Sequence, residues 1–293
     1  MSTVKERVNN ISRNDNLTVG MGPTTAKIEL TGKCSLSCRF CFNKEMKKHG
    51  IRQNFMSTED FQKAYSYVKS FPSMREIGLF YMGESGLHPN LKDFYKQVKD
   101  DGFFTFLTTN GTTTKNILPA IPYIDSLKVS WNYKNLEDFM AKTGLPAFMY
   151  HAISHNIKVL YQACHKNGKV LAISTVLDSA KEDYADAIKK LRHDEHYFIP
   201  LQTQGGSFSD GTDGVVGEAD KPSSPLPCWS LFKGVYVDCN LNVRTCCYGH
   251  TDKHILGNLN DGSIATKEAL QAAHLNGCVP DACHACLHEN GTL

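Results

Sequence analysis

The sequence predicts an α/β protein: a partial (β/α)6 barrel, open on one side, followed by a small unit made of a β-hairpin and a helix. Six short apolar segments alternate with amphipathic helical patterns between residues 26 and 202. The chain of 293 residues is long enough for one large domain and a smaller one. A Gly- and Pro-rich stretch separates the alternating region from residues 228–293.

The first predicted strand covers residues 26–30, and the first helix covers residues 57–70 with Ser57 as its N-cap. The later elements are strand 76–82, helix 91–101, strand 103–108, helix 118–124, strand 127–131, helix 147–165, strand 169–176, helix 181–191 and strand 197–202. Glycines just beyond residues 101 and 165 mark helix ends. Strands joined by helices in this way are parallel, with right-handed crossovers.

We divide the chain into four parts. Residues 1–24 are polar and form an N-terminal extension, and residues 25–203 form the barrel. Residues 204–227 contain five glycines and three prolines, which predicts either a linker or a lid over the barrel mouth. Residues 228–293 form the small C-terminal unit and contain seven of the eleven cysteines.

The composition limits the classes of partner. A formal net charge of +2 gives no electrostatic reason to expect binding to nucleic acid or to an anionic membrane surface. No apolar signal core follows Met1, and no run approaches the length of a membrane span, so we expect a cytoplasmic protein. Eleven cysteines in a reducing compartment indicate metal binding rather than disulfides.

Three cysteines stand close together directly after the first strand. Cys34, Cys38 and Cys41 have the spacing C-x3-C-x2-C, which places three thiolates on one short loop. Three thiolates can hold three irons of a [4Fe–4S] cube and leave the fourth iron for another ligand. The alternatives are half of a zinc site, which would need a nearby fourth ligand, or three unrelated core cysteines.

A second group of cysteines lies in the C-terminal unit. Cys228, Cys246, Cys283 and Cys286 accompany two predicted hairpin strands, 232–237 and 240–245, and a helix near 267–274. Four thiolates would fully ligate a second [4Fe–4S] cluster. A structural zinc site made of the same cysteines, with His284 or His288 nearby, is the alternative.

The C-x3-C-x2-C run resembles the motif of the radical SAM superfamily, and the resemblance extends from Ala26 to the end of the chain. It implies that S-adenosyl-L-methionine binds the open iron, in a TIM-like partial barrel. Gly83-Glu84-Ser85 stands where that family has a Gly-Gly-Glu-Pro stretch, with Met82 in place of the first Gly and Ser85 in place of the Pro.

The resemblance also implies further pocket residues at strand ends. Asn110 would lie near the adenosyl group, Ser130 and Asn132 would contact the ribose or carboxylate, and Phe40 would shield the cluster or pack on adenine. Read individually, the same residues have plainer interpretations. Glu84 is then a solvated acid, Asn110 part of a turn, Ser130 and Asn132 solvent-facing, and Phe40 a core residue.

The C-terminal unit resembles the twitch domain, the shortened relative of the SPASM domain, in which such cysteines hold an auxiliary cluster. A full SPASM domain would continue with more cysteines after Cys286, but the chain ends at Leu293. Three cysteines are left over: Cys239, Cys247 and Cys278. They are core residues, substitute ligands or part of a further cluster.

These resemblances imply a radical SAM oxidoreductase. Electron transfer to S-adenosyl-L-methionine would give a 5′-deoxyadenosyl radical, which removes a hydrogen from a small polyol or aminosugar-like alcohol, with the auxiliary cluster accepting an electron. A low-potential donor of the flavodoxin or ferredoxin type would be the partner. Tyr81, His88, Asp178 and Gln204 are the candidate proton acceptors, chosen only because they follow predicted strands.

Two other functions remain open from the sequence. SPASM-type proteins often modify a ribosomal peptide or protein, by thioether formation, C–C crosslinking or epimerisation, although the N-terminal arm is short for a peptide-recognition domain. The third hypothesis is a non-enzymatic iron–sulfur or zinc protein. That hypothesis explains the cysteines but not Glu84, Asn110 and Ser130 at successive strand ends.

Overall fold

The computed structural model describes residues 4, 6, 7, 16–200, 227–249, 252–278, 280 and 283. The strands are β1 (Thr25–Ile28), β2 (Glu76–Gly78), β3 (Phe104–Thr109), β4 (Ser126–Ser130), β5 (Leu171–Leu177), β6 (Glu195–Pro200), β7 (Gly234–Val237), β8 (Asn242–Arg244) and β9 (Ile255–Asn258). The helices are α1 (Asn43–Lys48), α2 (Thr58–Lys69), α3 (Leu91–Asp100), α4 (Leu136–Thr143), α5 (Ala147–Lys166), α6 (Ala185–Lys189), α7 (Trp229–Lys233) and α8 (Glu268–Leu275). Short 3₁₀ turns cover Ser85–Leu87, Leu118–Tyr123, Lys181–Tyr184 and Asp252–His254.

One sheet runs through the described part of the molecule, in the order β6-β5-β4-β3-β2-β1-β7-β8-β9. Strands β1 to β6 pair in parallel, which confirms the predicted barrel strands. Strand β7 also runs parallel to β1, with Thr25 opposite Gly234, whereas β8 and β9 are antiparallel additions. The C-terminal hairpin is therefore bonded directly to the first barrel strand, beside the loop that carries the first three cysteines.

Helix α2 shows why the local sequence patterns succeed. Ser57 is its N-cap, and the backbone N–H of Asp60 donates to the Ser57 hydroxyl at 3.0 Å. Its apolar face packs on the sheet, and the Phe61 ring stacks on Phe94 of α3 with centroids 3.9 Å apart. The outer layer of helices thus buries one face of the strands, and the other face points into the barrel.

Several predicted bounds were wrong. Residues 118–123 form a 3₁₀ turn because Pro119 and Pro122 remove two backbone donors. The predicted helix 181–191 divides into a 3₁₀ turn and α6. Strand β2 ends at Gly78, since the next N–H, of Leu79, donates to the Tyr95 hydroxyl rather than to a neighbouring strand.

The C-terminal unit also differs from its prediction. Phe232 belongs to helix α7 rather than to a hairpin strand, and β9 was not predicted. Helices α1 and α4 were likewise missed. Most of the stretch 204–227, predicted as a linker or lid, lies outside the described residues. In the described part of the chain, no helix combines the length and apolar character needed to cross a lipid bilayer.

Candidate active site

The three cysteines of the first motif share one cavity at the carboxyl end of β1. Cys34, Cys38 and Cys41 line it, together with residues that follow β2, β3 and β4, and its volume is about 260 Å³. Lys47 of α1 braces the loop, since its ammonium donates to the carbonyl oxygens of Cys34 and Leu36 at 3.0 and 3.1 Å. The loop is therefore held in shape by a cation that lies beneath it.

The surroundings of these thiols make their ionisation costly in the absence of a bound cation. The pKa of Cys34 is raised to about 12, mainly by burial and also by the nearby Glu84 carboxylate. Burial also raises the pKa values of Cys38 and Cys41. A bound cationic centre would have to offset the cost of ionising the thiols.

The donor set fits a [4Fe–4S] cube, because soft thiolates are the ligands that such clusters use. Among the described residues, no three His, Cys, Asp or Glu side chains converge on a position for a single ion. The fit rests instead on three thiols around one cavity, since a cube places each thiolate on a separate iron. Cys34, Cys38 and Cys41 are the residues that would hold it.

Gly83 lies in the segment that follows β2, where this segment packs against the start of the cysteine loop. A Cβ atom at this position would lie 2.0 Å from the carbonyl oxygen of Thr31, so no larger residue fits. The next residue, Glu84, donates its backbone N–H to the carbonyl oxygen of Lys33 at 2.7 Å. Glycine is therefore needed here for a close approach between two backbone segments.

The Glu84 carboxylate is not solvated: the residue is 2% exposed and accepts three hydrogen bonds. The donors are the N–H of Gly86 at 2.9 Å, the hydroxyl of Thr109 at 2.8 Å and the N–H of Asn110 at 2.7 Å. Burial raises its pKa, and these hydrogen bonds oppose that effect. Glu84 thus ties the end of β3 to the segment after β2.

Asn110 contacts a cysteine of the motif directly. Its side-chain nitrogen donates to the Cys34 sulfur at 3.3 Å, and its side-chain oxygen accepts from the N–H and hydroxyl of Thr112 at 2.9 and 2.7 Å. Because Thr112 donates to the oxygen, the nitrogen points at sulfur. Hydrogen bonds to cluster sulfurs are one of the factors that set cluster potential.

Of the other predicted pocket residues, three line the cavity and one lies outside its lining. Ser130, Asn132 and Phe40 line the cavity, and the Asn132 side-chain oxygen accepts from the N–H of Val176 at 2.8 Å. Ser85 is fully buried behind the cavity, and its hydroxyl has no hydrogen-bond partner in the described part of the chain.

The four candidate proton acceptors occupy different places. Tyr81 lines the cavity, and its hydroxyl lies 2.9 Å from the carbonyl oxygens of Cys246 and Gly249. His88 is buried outside the cavity lining, with one ring nitrogen 2.9 Å from the Met56 carbonyl oxygen. Gln204 lies outside the described residues.

Asp178, the fourth candidate, is paired rather than free. Its carboxylate lies 2.8 Å from the Lys142 ammonium and accepts a hydrogen bond from the Tyr184 hydroxyl. Burial alone would raise its pKa, but these two partners hold the pKa below the ordinary value. Asp178 is absent from the residues that line the cavity.

The C-terminal cysteines form a second group of thiols. Burial raises the pKa of Cys246 well above its usual value, and the neighbouring Cys247, Cys228 and Cys283 thiols raise it further. Cys286 lies outside the described residues. Cys247 was only a spare cysteine in the sequence interpretation, although its position directly after Cys246 was a visible signal.

The other two spare cysteines stand apart from that group. Cys239 is buried near Glu29, whose carboxylate accepts its N–H at 3.2 Å. Cys278 is exposed.

Lys267 is the cation beside the thiol group: its ammonium donates to the carbonyl oxygens of Gly234 and Thr245 at 2.8 and 2.7 Å. Its pKa is lowered to about 8, because the effect of burial outweighs the opposing effect of the nearby thiols.

A buried chain of charges joins the two cysteine regions. Arg52, which follows α1, lies 3.2 Å from the Glu29 carboxylate and 3.7 Å from that of Asp238. Asp238 in turn pairs with Arg244 at 2.7 Å, and Arg244 donates to the carbonyl oxygen of Gly249 at 3.2 Å. The end of β1, which leads into the first motif, and the segment after β8 are therefore connected through side chains as well as through the sheet.

Comparisons with known proteins agree with this arrangement. Residues 28–132 match the family model of the radical SAM superfamily. A tungsten-containing aldehyde ferredoxin oxidoreductase cofactor-modifying protein from Pyrococcus furiosus is 31% identical over 85 residues. The aligned region is 29% of this chain and only 23% of the Pyrococcus protein, so the chain matches less than a quarter of that relative.

Two solved structures share the fold. BtrN in complex with AdoMet and 2-DOIA aligns with a TM-score of 0.52 and 15% identity, over 86% of this chain and 87% of BtrN. SuiB of Streptococcus suis, bound to precursor peptide SuiA, aligns with a TM-score of 0.60 and 13% identity, over 86% of this chain and 64% of SuiB. At these identities the likeness establishes the partial-barrel fold.

Proposed function

This chain carries a radical SAM domain, and from that premise we propose that it cleaves S-adenosyl-L-methionine reductively and removes a hydrogen atom from a substrate in the barrel. One observation carries the proposal: Cys34, Cys38 and Cys41 share a cavity with the strand-end residues that would hold the nucleoside. A [4Fe–4S] cluster on these cysteines would supply the electron that splits S-adenosyl-L-methionine into methionine and a 5′-deoxyadenosyl radical.

The protein residues of this site would bind and orient S-adenosyl-L-methionine. Gly83 leaves its backbone accessible at the cavity wall, where the amino group of the methionine part would bind. Glu84 fixes the Asn110 backbone, and the Asn110 side chain donates to the Cys34 sulfur. Ser130 and Asn132, on the β4 side of the cavity, are the proposed ribose or carboxylate contacts.

We propose dehydrogenation of a small polyol or aminosugar-like alcohol as the reaction. Oxidation of an alcohol carbon removes one hydrogen atom, one hydroxyl proton and one further electron. The hydrogen atom goes to the 5′-deoxyadenosyl radical and gives 5′-deoxyadenosine. The proton goes to a base and the electron to a second [4Fe–4S] cluster, for which Cys228, Cys246, Cys283 and Cys286 are the proposed ligands.

The second cysteine group supports that reaction. Cys228, Cys246 and Cys283 interact with one another as neighbouring buried thiols, and Cys247 stands among them as a substitute ligand for Cys286. The alignment with BtrN, whose structure contains AdoMet and 2-DOIA, covers most of both chains. A flavodoxin- or ferredoxin-type protein in the cytoplasm is the proposed electron donor.

Peptide modification is the second candidate. It is favoured by the alignment with SuiB bound to precursor peptide SuiA, which has the higher TM-score of the two. A non-enzymatic metal protein accounts less well for the structure, because it gives no reason for Glu84 and Asn110 to converge on the cysteine loop.

Iron content tests both proposed clusters. After anaerobic reconstitution we expect about eight irons and eight sulfides per chain, falling to about four when Cys34, Cys38 and Cys41 are replaced by Ala. About four irons falling to none, with zinc retained, would rule out the auxiliary cluster. Deuterium transfer from a labelled alcohol or peptide into 5′-deoxyadenosine then distinguishes the two substrate classes, and absence of reductive cleavage would overturn the proposed function.

A further inference from the structure

Two lysines point into the barrel, and neither has an anionic partner among the described residues. Lys27 stands between Ala26 and Ile28, and Lys128 stands between Leu127 and Val129. These four apolar neighbours are buried, three of them completely, against the outer helices, so strand alternation turns both lysines inward. Neither lysine has an ion-pair or hydrogen-bond partner among the residues that the structure describes.

The two ammonium groups lie against aromatic rings instead. The Lys27 nitrogen is 5.2 Å from the centre of the Phe80 ring, and the Lys128 nitrogen is 5.5 Å from the centre of the Tyr197 ring. Phe80 lines the cavity of the cysteine motif. Lys128 is two residues before Ser130, another lining residue, which is about 7 Å along the strand. The lysines therefore lie in the layer directly below the proposed nucleoside site.

The surroundings of the pair are positive. The pKa of Lys128 is lowered to about 7, mainly by burial and also by repulsion from Lys27 and Arg7. Arg7, below the pair, is neutralised by Glu76 at 2.6 Å. Glu195, at the start of β6, accepts the N–H of Val4 at 3.2 Å.

A neutral donor completes the group. The Tyr197 hydroxyl is buried and has no hydrogen-bond partner in the described part of the chain. Two partly buried ammonium groups and a buried hydroxyl, all without polar partners among the described residues, are costly for folding. Such departures from a well-paired interior are typical of binding sites.

We propose that Lys27 and Lys128, with the Tyr197 hydroxyl, bind an anionic group of the substrate, a carboxylate or a phosphate, inside the barrel. This inference rests on the proposed function for its substrate, because the group would be held one layer below the site of radical formation. It narrows the proposed substrate class, a small polyol or aminosugar-like alcohol, to members that also carry an anionic group. Lysine ammonium groups bind both carboxylates and phosphates as point charges.

The test is calorimetric titration of the reconstituted protein with inorganic phosphate and with succinate, each with and without saturating S-adenosyl-L-methionine. We expect one site for at least one of the two anions in the presence of S-adenosyl-L-methionine. Lys128→Met and Lys27→Met should each weaken its Kd by about 10-fold or more. The matched control is Lys92→Met on the exposed face of α3, which should bind as wild type does.

Thermal melting shows whether the variants fold. Lys128→Met should raise the melting temperature, since it replaces a partly buried charge that has no anionic partner among the described residues by an apolar side chain of similar length. Unchanged Kd values in both lysine variants, or anion binding that S-adenosyl-L-methionine abolishes, would overturn the proposal. Lysine-dependent anion binding without cleavage of S-adenosyl-L-methionine would support the anion site and overturn the proposed function instead.

Discussion

The Tyr81 hydroxyl lies 2.9 Å from the carbonyl oxygen of Cys246, so a side chain in the wall of the first cysteine site is bonded to the backbone of the second. The Tyr81 ring also stacks near Tyr236 of β7, with centroids 6.0 Å apart. Burial raises the Tyr81 pKa well above its usual value, so the hydroxyl keeps its proton and acts as a donor. The two cysteine regions therefore share Tyr81 as a wall residue.

Tyr81→Phe should loosen the segment that carries Cys246. The variant removes the donor that the Cys246 and Gly249 carbonyl oxygens share, and we expect the free energy of unfolding to fall by about 1–2 kcal/mol. Iron bound at the C-terminal cysteines should be lost faster to a chelator than iron bound at the first motif. Tyr161→Phe, on the outer helix α5, is the control and should change neither quantity. Equal rates of iron loss from both sites in Tyr81→Phe would contradict the shared-wall interpretation.

The sequence could predict that the three cysteines and the strand-end residues lie together, because the signals for this arrangement are local. The spacing of Cys34, Cys38 and Cys41 and the residues after each strand are visible in short windows, and barrel geometry brings strand ends together. Helix α4 was missed although Asn135 caps it and Gly144 ends it in the left-handed region at φ 71. Those two signals enclose a helix of only eight residues, which is too short for a clear apolar period.

The remaining features depend on contacts between distant segments. Lys27 and Lys128 alternate with apolar residues, which in a single strand predicts a solvent-facing side chain, and only closure of the sheet turns that face inward. The pairing of β7 with β1 joins residues that are more than 200 positions apart. The buried ion pairs of Arg52 depend on the pairing of β7 with β1, so no local sequence pattern predicts these ion pairs.

Asn110 offers a test of the first site that does not require substrate. Asn110→Ala removes the donor at 3.3 Å from the Cys34 sulfur, and we expect a more negative potential for a cluster bound at this site. Spectroelectrochemical titration of the reconstituted protein measures the potential. Asn116→Ala, which removes an amide bonded to the Gly86 carbonyl oxygen away from the cysteines, is the matched control. An unchanged potential in Asn110→Ala would show that the contact does not tune the cluster.

Arg52 should be among the most important buried charges for stability. It lies at φ 52, in the left-handed region, and holds the buried carboxylates of Glu29 and Asp238. Arg52→Met leaves Glu29 without its cation, so we expect a loss of about 3–5 kcal/mol in the free energy of unfolding by denaturant titration. Arg75→Met, at an exposed position, should cost at most about 1 kcal/mol. Adding Glu29→Gln to Arg52→Met should recover part of the loss, and no recovery would argue against the ion pair as its cause.

The pair of Asp178 and Lys142 should make stability depend on pH on the acid side. Hydrogen bonds from Lys142 and Tyr184 hold the folded-state pKa of Asp178 below its ordinary value of 3.8, despite the opposing effect of burial. A carboxyl group with a lowered pKa contributes stability that is present above its unfolded pKa and is lost as the pH falls through the folded one. Asp178→Asn should therefore lower the free energy of unfolding by about 1–3 kcal/mol at neutral pH. The difference from wild type should shrink as the pH falls below about 4.

Denaturant titrations across this pH range measure the difference in the free energy of unfolding. The control is the exposed Asp183→Asn, whose free energy of unfolding should change with pH as that of wild type does. A difference that stayed constant down to the acid limit would show that Asp178 stabilises the fold through shape rather than charge.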